Sequence, residues 1–90
     1  MPFPVKTLED LRIRTKYILM ERANLRLYCV IDDGVRECRG VTVVLRKGDT
    51  LDYSNDFSMT KPYLDRRLKR GDYDLTANFE TAIKWLISSR

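Results

Sequence analysis

The chain has 90 residues, 43% apolar and 33% charged, with four glycines and three prolines, so it holds material for one hydrophobic core and lacks the composition of a disordered chain. Seventeen Lys and Arg against thirteen Asp and Glu leave a formal net charge of +4, which favours anionic partners without dictating them. Two cysteines and no histidine argue against a disulfide-stapled fold, against a Cys/His zinc site and, by removing the commonest general base, against most enzyme classes.

No apolar run approaches the about 20 residues that a membrane-spanning helix needs. The first residues, Met1-Pro2-Phe3-Pro4-Val5-Lys6, also lack the uninterrupted apolar stretch of a secretory signal. A single cytoplasmic domain over residues 1–90, with reduced cysteines, is the expectation.

In chain order, Thr7-Leu8-Glu9-Asp10 reads as a helix start, with Thr7 as cap and two acids in the first turn, where the helix dipole favours them. The spacing predicts a helix to about Ala23. Leu8, Leu11, Thr15, Ile18 and Leu19 would form its core stripe, with Ile13, Tyr17 and Met20 as a second stripe roughly opposite. From Asn24 the period becomes two: Leu25, Leu27, Cys29 and Ile31 alternate with Arg26, Tyr28 and Val30 before Asp32-Asp33-Gly34 turns the chain. A three-residue loop there pairs Ile31 with Val35 and Leu25 with Val41, keeps most apolar residues on one face and separates Cys29 from Cys38. Gly40 is a possible bulge.

Val41-Thr42-Val43-Val44-Leu45 reads as a central strand, Thr50 to Ser54 as a short third strand and Asn55 to Ser58 as a loop. Thr60-Lys61-Pro62 opens a second helix that Gly71 stops, and a last helix runs from about Thr76 to Ser88 with Phe79, Ala82, Ile83 and Leu86 on one face. The expected class is therefore α+β in the order α-β-β-β-α-α, an antiparallel three-stranded sheet with its helices packed on one face. Double-stranded-RNA-binding domains share part of this order, but residues 55–61 hold no glycine and no paired lysines, so no family resemblance follows.

Carboxylates at Asp49, Asp52 and Asp56 are the densest acidic group, yet their spacing matches no calcium loop, and solvated turn residues are the simpler account. The glycines stand alone and form no phosphate loop. No catalytic residue, cofactor or metal site is expected. The densest signal is the second helix, where Lys61, Tyr63, Arg66, Arg67, Lys69 and Arg70 offer an anion-binding or nucleic-acid-binding face. Ile13, Tyr17, Met20 and Trp85 lie outside the core stripes and are candidate partner anchors. The favoured expectation is a non-enzymatic, phage-type regulator or inhibitor that docks on a macromolecular partner, protein before nucleic acid and not a membrane. The alternative is a nucleic-acid-binding domain using helix 61–70 on phosphates, and a homodimer is compatible with either.

Overall fold

The computed structural model describes residues 5–89, Ser54 by its backbone alone. Its elements are α1 (Leu8–Arg14), β1 (Tyr17–Glu21), β2 (Arg26–Asp33), β3 (Glu37–Arg46), β4 (Thr50–Thr60), α2 (Lys61–Arg70), β5 (Tyr73–Thr76) and α3 (Phe79–Ser88). The strands form one antiparallel sheet in the order β4-β3-β2-β1-β5. The α+β class stands, with two corrections. The sheet has five strands rather than three, and the helices lie on both faces: α1 and α3 on one, α2 on the other.

The first correction begins where α1 ends. Thr7 accepts a hydrogen bond from the Asp10 amide at 3.0 Å, as a cap should. One residue past Arg14 the backbone is already extended, and the Thr15 hydroxyl donates to the Leu11 carbonyl at 2.6 Å, closing the helix. Ile18, Leu19 and Met20, expected on a helix running to Ala23, belong to β1. Ile18 and Met20 enter the core beneath α1 and α3, whereas Leu19 enters the core beneath α2. A strand covered on both faces needs no polar alternation, so its apolar run carries no period-two signal.

The β2–β3 hairpin pairs Cys29 with Val41, where Leu25 with Val41 was expected. As far as Val30 the slip is four residues, which is even, so the side chains there keep their faces. Leu27, Cys29, Val41 and Val43 share the α1/α3 core, and Cys38 lies in the other, so the two free thiols are separated by the sheet as expected. The bulge lies in β2 between Val30 and Asp32, across from Gly40. A Cβ on Gly40 would stand 1.9 Å from the Cys29 carbonyl oxygen, so the strands close here only on glycine.

β4 runs to Thr60 and absorbs the expected loop 55–58, because Asn55 to Thr60 pair along β3. Thr60 then caps α2 by accepting from the Tyr63 amide at 3.4 Å, with Pro62 in the first turn. Gly71, at φ 78°, ends the helix: its amide reaches the Leu68 carbonyl at 3.1 Å and that of Asp72 reaches Arg67 at 3.0 Å. β5 occupies residues expected to be loop and the start of the last helix, and Asn78 caps α3 by accepting from the Thr81 amide at 2.9 Å.

Candidate functional site

α2 covers only part of its side of the sheet. Leu64 and Leu68 pack over Leu19, Val30, Cys38 and Met59, fastening the helix to one end of the face. The remainder is covered by no helix, with half-buried Tyr28, buried Thr42 and exposed Asn55 in one row across β2, β3 and β4, and half-buried Arg26 and Val44 in the next. Two adjoining depressions occupy this area. One, of about 580 Å³, lies between Phe57, Tyr28 and Tyr73 on the sheet and Tyr63 and Arg66 on α2. The other, of about 510 Å³, lies over Tyr28, Thr42 and Phe57 and is edged by Arg26, Arg46 and Asn55.

Tyr28 and Phe57 belong to both depressions, with ring centroids 5.0 Å apart and planes inclined at 70°. Tyr73 stands on the far side of Tyr28 at 5.6 Å. Gly40, directly opposite Phe57 on β3, has no side chain to compete with the ring for the face. Burial, with the neighbouring Glu21 carboxylate, raises the Tyr28 phenol above its ordinary pKa and keeps it protonated.

Three arginines and one acid, Asp56, line the paired depressions. Arg46 is held by Asp52 at 2.9 Å. Arg26 places Nε 3.2 Å from Glu21 Oε1, but the N–H is misaligned, so this buried donor has an ion-pair neighbour and no hydrogen-bond acceptor. Glu21 is instead bonded by the Asn24 amide at 2.9 Å and, more weakly, by the Tyr28 hydroxyl at 3.4 Å. Arg66 is exposed and makes no ion pair among the described residues.

The rest of the basic helix is largely neutralised by its own chain. Lys61 is bonded to Asp33, Arg67 to Asp72 at 3.0 Å, and Lys69 to Asp65 at 3.1 Å, while Arg70 lies 3.5 Å from Asp72. The Arg67 guanidinium also sits 4.9 Å from the Tyr63 ring centroid. Of the six residues singled out there, Tyr63 and Arg66 face the open groove.

The four expected anchors do not share a surface. Met20 is buried in the α1/α3 core, against which Trp85 is packed, and Ile13 projects from α1 with 70% of its surface exposed. Tyr17 lies on the opposite face, its hydroxyl donating to Asp33 at 3.1 Å. Sequence reasoning missed Tyr28, Phe57, Tyr73 and Arg26 as site residues. Their one signal was the off-core position of Arg26 and Tyr28 in the β2 alternation.

Among the described residues, no group of three or more carboxylates and thiols is placed to hold a metal, and no helix is long and apolar enough to cross a membrane. Compared with protein-family models, curated proteins and solved structures, the chain matches none.

Proposed function

We propose that this chain is a non-enzymatic binding domain whose working surface is the open half of the sheet, and that its ligand is single-stranded nucleic acid. The observation that carries this reading is the Tyr28–Phe57 pair, set between two adjoining depressions lined by three arginines and one acid. Both rings are half-buried, and the part of each that reaches the depressions can accept any base, while guanidinium groups at the edge meet the phosphates that connect successive bases. A duplex hides its base faces within the stack and gains nothing from such a platform.

Fluorescence anisotropy with labelled single-stranded and duplex oligonucleotides at two salt concentrations tests the reading. Salt-sensitive binding that prefers single strands supports it, and equal affinity for duplex and single strand contradicts it.

The second reading is a regulator that docks on protein. It is favoured by a cleft of about 500 Å³ between α1 and α3, lined by Leu8, Phe79 and Ile83. Apolar concavities of this kind suit a protein surface better than a phosphate backbone.

A further inference from the structure

The α1/α3 side of the molecule has a surface that neither the core nor the groove uses. On α3, Phe79, Ala82 and Leu86 face the core. Ile83 and Ile87, one turn apart, form a second apolar stripe, with Ile87 49% exposed. Glu80 and Lys84 lie on that same side, since positions 80, 83, 84 and 87 share one helical face. Beside Ile83 the stripe opens into the cleft against α1, which adds Glu9 and Arg12 to the rim. The rim therefore carries two acids and two bases, a balance that attracts neither a polyanion nor a polycation.

We propose that this surface is the seam of a two-fold homodimer in which α3 packs antiparallel against α3 of a second copy. A two-fold seam is self-complementary: whatever one copy presents must fit the same patch turned end for end. Antiparallel packing meets that condition because it brings Glu80 of each copy to Lys84 of the other, with the two Ile83 side chains beside the two-fold axis and each Ile87 against the start of α3 in the other copy. Glu9 and Arg12 are already paired with each other, and of the two charges left a partner of single charge would be repelled by Glu80 or by Lys84, whereas a second copy pairs both. The dimer also leaves both sheet grooves facing outward, because they lie on the opposite side of each protomer. The proposal is thus independent of what the groove binds.

Sedimentation equilibrium on the whole chain, without nucleic acid, decides it. The wild type is expected to dimerise with a Kd in roughly the micromolar range. Glu80→Lys and Lys84→Glu, both at exposed positions, are each expected to weaken the dimer at least about tenfold, because each places like charges together. The double exchange, Glu80→Lys with Lys84→Glu, restores complementarity and should return the Kd to within about threefold of wild type. Ile87→Asp is expected to abolish the dimer. A wild type that stays monomeric to about 1 mM overturns the proposal. So does a dimer indifferent to the single reversals, or a double exchange that recovers nothing.

Discussion

Phe57 stands edge-on to Tyr28, with ring centroids 5.0 Å apart, and the pair joins β4 to β2 across Gly40 and Thr42, over which no helix lies. Base stacking on such rings is worth about 1–3 kcal/mol per base, so losing either ring should weaken single-strand binding roughly tenfold to a hundredfold. Tyr28→Leu and Phe57→Leu are the variants of choice, since leucine keeps apolar volume on the sheet while removing the aromatic face. Anisotropy titration at fixed salt checks this; unchanged affinity in both variants would mean that the rings serve packing alone.

Arg66 and Lys69 are neighbours on α2 with different expected roles. Lys69 is held by Asp65 at 3.1 Å, whereas Arg66 lines the groove without an ion pair among the described residues. Each phosphate neutralised contributes about 0.7 to the magnitude of the salt slope for a single strand. Arg66→Ala should lower that slope by about one such increment, and Lys69→Ala should leave it unchanged. Titrations at three or more salt concentrations separate the two, and equal effects of both variants would reduce the helix to a diffuse positive field.

Gly40 and Gly48 offer a contrast in stability. A methyl at Gly40 meets the Cys29 carbonyl oxygen at 1.9 Å, and the strands can relieve that only by parting. At Gly48 the φ of 81° carries strain, but nothing lies within 4 Å of an added Cβ. Gly40→Ala should cost about 3 kcal/mol or more, and Gly48→Ala about 1 kcal/mol. For a chain of this size the former lowers Tm by roughly 12 °C or more, read by circular dichroism melting.

Alkaline pH should loosen the fold through Cys29. Burial pushes its thiol up from 9.0 to about 12. The folded state thus keeps the proton after the unfolded chain has released it, so this contribution is whole below about pH 8.5 and is lost as pH rises toward 12. Between about pH 8 and about pH 10.5, urea unfolding of the wild type should lose roughly 2 kcal/mol from this group. Cys29→Ala should lack that component, although burial raises the Tyr17 and Tyr73 phenols as well and leaves a residual slope. An identical pH dependence in wild type and Cys29→Ala would contradict the assignment.

Local chemistry made α2 legible: Thr60, Pro62 and Gly71 each act on atoms within a few residues, and the helix lies where they place it. β1 was hidden because Ile18, Leu19 and Met20 are buried from both sides, which removes the alternation that marks a strand. β5 has four residues and exists through its pairing with β1, a contact across more than fifty positions of chain. As far as Val30 the hairpin slipped by four residues because turn residues alone do not fix a register that also depends on β1 and β4; its faces there survived because the slip was even. Within the site, the cluster of cations on α2 was visible, but Asp33 and Asp72, which neutralise Lys61 and Arg67, belong to β2 and to the turn after the helix. Phe57 was placed in a loop, and without β4 no sequence pattern could set it beside Tyr28.

Amide chemical-shift mapping on isotopically labelled protein with a short single-stranded oligonucleotide locates the binding surface residue by residue. If the half of the sheet left uncovered by α2 is that surface, the shifts gather on Tyr28, Thr42, Phe57, Tyr63 and Arg66, with α1 and α3 unmoved. Shifts gathered on α1 and α3, or none at saturating oligonucleotide in low salt, would contradict it.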